Sequence, residues 1–301
     1  MIRVFICFLL IVPGITNCSK EGENAGPRYG ADSKEGKIPV YSFAVHPLHN
    51  PNKLMEAYRP LIDYLNSRVK GAMFRLEASR DYASYEEKYR ARKPEFLLPN
   101  PWQTLQAMKT GYRVIAMAGE PFDFRGIFIV RKDSGIRTPQ DLRGRAVSYP
   151  SPTALAACIM PQYYLYRQGI NVNRDIENRY VGSQESSIMN VYLKKTAAGA
   201  TWPPPWRAFQ KDYSIEASEL KVAWETGPLI NNSVMIRGDI PAEVREQVKK
   251  HLTDLHKTGP GKAILAGMET ARFIPAEDND YDIVRVYVER FEREVRKVEV
   301  K

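Results

Sequence analysis

The 301-residue chain carries 44 Lys and Arg against 35 Asp and Glu, a formal net charge of +9, with only three Cys. Its basic residues are spread out and are densest at Arg285–Arg296, where they alternate with Glu289, Glu292 and Glu294, the pattern of a solvated helix face. No Lys/Arg run is interleaved with aromatics, which excludes a nucleic-acid arm; the surplus at most slightly favours an anionic ligand or an anionic membrane surface.

In chain order, Met1–Asn17 holds one charge (Arg3), an apolar run Val4–Val12 and then Pro13-Gly14, a secretory signal too short to span a bilayer. Ile15-Thr16-Asn17-Cys18 resembles a bacterial lipobox, with Asn17 in a slot usually filled by Gly, Ala or Ser. On that reading Cys18 is lipidated and the mature chain is membrane-tethered; an ordinary cleaved signal with a stray Cys is the alternative. Residues 18–37 are polar, Gly-rich and without periodicity, a flexible tether. With Cys7 leaving in the signal and Cys18 lipidated, only Cys158 remains and no disulfide can form. Cys158 lies among Ala156, Ala157, Ile159 and Met160 with no activating His or Asp nearby in sequence, which favours a small buried hydrophobe over a nucleophile.

The 264 residues after Lys37 suffice for one large or two medium domains. Expected strands are Ile38–Val45, Phe74–Ala78, Glu95–Leu98, Arg113–Met117, Gly126–Arg131, Ala146–Tyr149, Glu177–Val181, Ala198–Trp202, Leu220–Trp224 and Ser233–Arg237. The helix expected over Pro51–Val69 places Leu54, Tyr58, Leu61, Ile62 and Leu65 on one face. Further helices are expected at Tyr82–Arg92, Trp102–Thr110, Thr153–Gln168, Glu185–Lys195, Ala242–Lys257 and Tyr281–Val298. Such alternation argues an α/β chain with mostly parallel sheets. Ligands of such sheets bind beyond the carboxyl ends of strands. That rule points to the loops His46–Pro51, Pro99–Trp102, Pro150–Thr153, Gly182–Ser187 and Thr201–Trp206.

The most informative of these is Pro150-Ser151-Pro152-Thr153, which follows an apolar strand and opens onto a helix near Ala154. A helix opening presents unpartnered N–H groups and partial positive charge, so it can seat an oxyanion. Ser151 and Thr153 could add hydroxyls, or simply cap the helix. Pro161 predicts a kink near Met160. Ser183 and Gln184 are further candidates for the cleft, while Glu185 fits ordinary first-turn helix chemistry. In Trp202-Pro203-Pro204-Pro205-Trp206 the prolines fix the backbone, so Trp202 could form a rigid aromatic wall, with Trp102 after Asn100-Pro101 opposite it; buried packing is the equal alternative. His46 and His49 follow the first strand and could donate to an anion, or stand in solvent. His251 and His256, five apart on one helix, face different ways and hold no metal. No catalytic, phosphate-loop or metal-spaced motif is present, so neither cofactor nor metal is expected, and Arg125 at the expected crossing could pair with Asp123.

The order of several segments is similar to that of the PhnD-like phosphate/phosphite/phosphonate substrate-binding proteins of ABC importers. These segments are Tyr58–Leu65, Phe128–Arg131, Thr138–Val147, Pro150–Pro161, Gly169-Ile170, Tyr180–Ser186, Ile240-Pro241 and Asp280–Asp282. The resemblance implies a two-lobed type 2 periplasmic-binding fold with two crossover segments and a central ligand cleft. Lobe 1 would be 38–125 plus 231–301 and lobe 2 would be 126–230, crossing near Phe124–Gly126 and Gly227–Asn232. It implies a monomer in the periplasm or at the cell surface that captures a small anionic ligand for an ABC permease. The departures matter: Ser151-Pro152-Thr153-Ala154 stands for the relatives' Ser-Thr-Ser-Gly, Gln184 for a His, and Ala197 for the acid that meets an aminophosphonate ammonium. A plain oxyanion, or another small molecule, is the better expectation. Presentation of the ligand to a membrane sensor kinase is the second reading, and an enzyme on the same fold, lacking any nucleophile–base set, the third.

Overall fold

Two mixed β-sheets organise residues 38–299, the part of the chain that the computed structural model describes. The expected signal, the tether and Cys18 lie outside the described residues. The first stretch runs β1 (Val40–Val45), α1 (Pro51–Arg68), β2 (Met73–Glu77), α2 (Tyr82–Arg90), β3 (Phe96–Leu98), α3 (Pro101–Met108) and β4 (Tyr112–Ala118). The middle stretch runs β5 (Ile127–Arg131), β6 (Ala146–Tyr149), a π-helical turn (Leu155–Ile159) continuing into α4 (Met160–Arg167), β7 (Glu177–Tyr180), α5 (Gln184–Tyr192), β8 (Ala198–Thr201), α6 (Pro203–Asp212), α7 (Ser214–Ser218) and β9 (Leu220–Glu225). The chain ends with β10 (Ser233–Arg237), α8 (Ala242–Asp254), α9 (Gly259–Gly267), β11 (Phe273–Pro275) and α10 (Asp282–Glu294).

The first sheet has the order β11-β4-β10-β3-β1-β2 and the second β7-β6-β8-β5-β9. Parallel pairing joins β1 to β2 and β3, and β6 to β7 and β8. The strands at the two passages between sheets pair antiparallel: β10 with β3 and β4, β5 with β8 and β9. The expectation of mostly parallel sheets is thus corrected to mixed ones, because a chain that leaves a sheet and returns inserts its strand in the opposite sense. The two passages, β4 to β5 and β9 to β10, are tied together. Thr226 N donates to Gly126 O at 2.8 Å, and Leu229 N to Phe124 O at 2.9 Å.

Local chemistry explains the elements. α1 opens with Asn50, whose side chain accepts from Lys53 N, and Pro51 follows where no N–H is needed. Leu54, Tyr58, Leu61, Ile62 and Leu65 bury its inner face against β1 and β2. Truncating a Leu such as the fully buried Leu61 to Ala costs about 3–5 kcal/mol at comparable core sites. At the end of β6, Pro161 cannot donate back along its helix, and the preceding turn widens to π geometry with Ile159 N donating to Ala154 O at 3.2 Å. The break expected near Met160 is therefore a π turn just upstream of it. Gly126 lies beneath: a Cβ there would stand 2.5 Å from Ala156 O and 2.8 Å from a Pro161 ring carbon.

The triple proline departs from its reading as a fixed loop. Pro203, Pro204 and Pro205 are the first residues of α6, and Trp206 N donates to Trp202 O at 3.2 Å. The first turn of any helix has N–H groups without internal acceptors, so prolines there lose nothing.

Candidate functional site

Between the sheets lies a narrow cavity of about 10 Å³, room for roughly one water. It collects the carboxyl ends of strands from both sheets. His46 follows β1, Asn100 follows β3, Trp202 follows β8, and Ala154–Ala157 follow β6. Tyr82 and Gln184 reach it from the first turns of α2 and α5, Phe124 from one passage between the sheets, and Asn232 from the other.

The wall at Ala154–Ala157 is the opening of the π turn. Because Ile159 is the first residue whose N–H closes a helical bond, the N–H groups of Leu155 through Cys158 have no acceptor among the described residues. With α4 continuing to Arg167, they head an uninterrupted helical run and form a donor cluster with partial positive charge.

The facing wall is neutral. His46, on the cavity wall, donates through Nδ1 to Leu98 O at 2.9 Å, which fixes the tautomer and leaves Nε2 as an unprotonated acceptor. Burial lowers its pKa to about 4, so the ring stays neutral at ordinary pH. Asn232 is 3% exposed and its Oδ1 is buried without a partner. Gln184, by contrast, is fully engaged. Its Oε1 accepts from Thr201 at 2.8 Å and its Nε2 donates to Tyr82 Oη at 3.0 Å, joining the two walls. The ring of Trp202 packs at 5.4 Å, tilted, on Phe124 and closes the cavity's apolar side.

A carboxylate that the sequence reading did not single out lies beside this site. Glu86, one turn after Tyr82 on α2, is 1% exposed. Its Oε1 accepts from Thr153 Oγ1 at 2.6 Å and from Gln103 Nε2 at 3.2 Å, and its Oε2 from Arg90 at 2.8 Å. Burial, opposed by these donors, raises its pKa. Ser151 Oγ is 3.0 Å from Thr153 Oγ1, so the two hydroxyls expected to face a ligand run in a chain toward Glu86. Asn100 adds a second link between the walls, its Nδ2 donating to Thr153 O at 3.2 Å while its Oδ1 caps α3. The signal for Glu86 was present: it sits four residues from both Tyr82 and Arg90, on the face of α2 that also buries Tyr85 and Tyr89.

The other expected site residues are distributed as follows. Ala154 lines the cavity, whereas Ser183 caps α5 by accepting from Ser186 N at 3.0 Å. His49 is buried at the mouth of the cleft beside Lys53 and Gln184, and burial drops its pKa to about 3. Trp102 turns into the core with Tyr85 and Leu105 rather than onto the cavity, because it belongs to the first turn of α3 and the capping box of Asn100 and Gln103 faces its buried side inward. Trp206 stacks on Phe209 within α6. Ala197 precedes β8 and lines a surface groove with Arg131 and Lys195, at the opposite end of that strand from Thr201. The missing acid inferred there therefore says nothing about the cavity. Arg125 pairs with Glu225 at 2.7 Å; Asp123 is taken by Arg207 of α6, in a bidentate pair at 3.1 and 2.9 Å that also reaches Glu269. Cys158 is fully buried and its thiol is pushed up to about 12, consistent with a packing role. Further links span the two sides: Lys53 with Asp212, and Arg296, beyond α10, with Gln162 at 2.9 Å and Tyr180 at 2.8 Å.

Residues 43–281 match the family model described as "ABC transporter, phosphonate, periplasmic substrate-binding protein". Among solved structures, a binding-protein component of an ABC phosphonate transporter from Pseudomonas aeruginosa superposes with a TM-score of 0.79 at 16% identity, covering 85% of this chain and 88% of that one. PhnD1 from Prochlorococcus marinus in complex with methylphosphonate gives 0.77 at 18%, covering 84% and 98%. The alkanesulfonate-binding protein of Xanthomonas axonopodis pv. citri bound to MOPS gives 0.62 at 12%, covering 85% and 93%. At these identities the likeness is one of fold, and the fold is that of type 2 periplasmic binding proteins. The family and these neighbours are substrate-binding proteins rather than enzymes. Among the described residues no helix is long and apolar enough to cross a membrane.

Proposed function

This chain belongs to the periplasmic substrate-binding proteins of phosphonate-type ABC transporters, and from that premise we propose that it captures a small tetrahedral oxyanion between its two sheets and delivers it to an ABC permease. The observation that supports the oxyanion is the cluster of unpartnered N–H groups from Leu155 to Cys158, heading a helical run and facing a cavity capped by Trp202. Ser151 and Thr153 belong to the same turn and hold it in place. The first sheet with α8–α10 forms one lobe and the second sheet the other, and the bonded passages through Gly126 and Thr226 are the hinge. The cavity as it stands is closed to about one water, so a ligand of oxyanion size enters when the lobes part and the links through Gln184, Asn100 and Arg207 break.

Lipidation at Cys18 would tether the mature chain to the extracytoplasmic face of a membrane and keep the binding protein near its permease. A mass increment on the N-terminal peptide of membrane-extracted protein tests the lipid. The ligand is tested by calorimetry on the soluble part with methylphosphonate, phosphite, phosphate and sulfate, alongside mass spectrometry of whatever is retained on purification. Absence of heat with all four probes, together with a retained ligand that is not an oxyanion, sinks the reading.

A further inference from the structure

Glu86 brings a carboxylate to the very turn that would seat an anion. Thr153, whose hydroxyl donates to Glu86 at 2.6 Å, directly precedes Ala154 on the cavity wall, and the free N–H groups begin one residue later. All of the carboxylate's contacts are donors: Thr153 and Gln103 on one oxygen, Arg90 on the other. That is the set an ionised carboxylate needs. Arg90 is about a third exposed and approaches the oxygen that does not face Thr153, so water screens it more than the buried side. None of the residues lining the cavity is charged. An incoming dianion would find a helix opening worth about half a positive charge, a carboxylate beside it whose Arg90 partner lies on the far oxygen, and no cation on the cavity wall.

The cavity also asks for hydrogen-bond donors. His46 presents Nε2 as an acceptor because its Nδ1–H is committed to Leu98 O. The Asn232 side chain, 3% exposed, holds an unpartnered Oδ1. A fully deprotonated tetrahedral anion offers these atoms nothing, whereas a singly protonated one donates an O–H to one wall and accepts from the other.

Resting on the oxyanion reading above, we propose that Glu86 and His46 make this cleft selective for protonated, singly charged oxyanions and against their dianions. Between pH 5.5 and 8.5 the titrating partner is then chiefly the ligand. His46 and His49 stay neutral there, with values near 4 and 3, and burial raises Tyr82. The groups facing Glu86 are Arg90, Tyr82, Tyr85 and Tyr89 from its own helix, Gln103 from α3 and Thr153 from the helix opening. Any loss of Glu86's proton in that window acts in the same direction, adding negative charge as pH rises.

The test is calorimetric titration of wild-type protein with phosphite, methylphosphonate, phosphate and sulfate at pH 5.5, 6.5, 7.5 and 8.5. Affinity for the first three is expected to fall by up to tenfold per pH unit above the probe's second ionisation, and sulfate, which carries no proton, is expected not to bind. Glu86→Gln should narrow the difference between pH 5.5 and 8.5 at least fivefold. Affinity that is constant or rises with pH, or sulfate bound as tightly as phosphite, overturns the proposal while leaving the oxyanion reading intact, and needs no variant to observe. No binding of any probe at any pH removes the oxyanion reading and this selectivity with it.

Discussion

His46 gives the structure a calculable acid sensitivity. Its folded pKa is lowered from 6.5 to about 4 by burial, so between those values the unfolded chain binds a proton that the folded protein refuses. Stability from this residue is complete above pH 6.5 and is lost as pH falls toward 4, at about 1.4 kcal/mol per unit. From pH 7.5 to pH 5 the loss is therefore about 2 kcal/mol. Carboxylates elsewhere titrate in the same range, so the measurement is a double difference. Urea unfolding of wild type and His46→Asn is followed at both pH values, Asn keeping a donor for Leu98 O without a titrating ring. The wild type should lose about 2 kcal/mol more than the variant over that interval. Equal losses in the two proteins would refute the claim that this ring is buried, neutral and bonded through Nδ1.

Gly126→Ala places a methyl carbon 2.5 Å from Ala156 O and should lower stability by about 1–3 kcal/mol, seen as a melting temperature several degrees lower. Arg296→Ala leaves the Gln162 side chain, wholly buried, short of a partner; a loss of about 1–3 kcal/mol is expected in denaturant unfolding, against no change if this contact is incidental. Cys158 should resist a thiol reagent at pH 8 in the native protein and react fully once denatured, since it is both buried and held in its thiol form.

Much of the fold was written in periodicity. α1 could be read from Leu54, Tyr58, Leu61, Ile62 and Leu65, and β6 with its turn from an apolar run broken by prolines. Where the reading failed, one residue type had two physical uses. Pro203–Pro205 served equally as an extended loop or as a first helical turn. α9 was not among the expected helices because it opens on Gly259-Pro260-Gly261, residues of turn type; Thr258 caps it and a Cβ on Gly261 would stand 1.8 Å from Leu255 O. β11, three residues long, carries too little pattern to find. Of the residues that line the cavity, the sequence pointed to His46, Asn100, Ala154 at the helix opening, Gln184 and Trp202. It missed Glu86 because burial of an acid depends on donors that arrive from Gln103 and Thr153, distant in the chain. It left Trp102 between a cleft wall and buried packing because spacing along α3 does not say which neighbour covers its first turn.

The position of β10 bears on how the chain matures. Ser233–Arg237 sits between β3 and β4, so those two strands have no direct pairing with each other and stay open-edged until the chain has been made through Arg237. Every strand of the second sheet, by contrast, lies within Ile127–Glu225. The half that emerges first thus completes last, wrapped around an insert that can fold ahead of it. Until then, exposed edges at β3 and β4 are the surfaces most in need of protection from premature association.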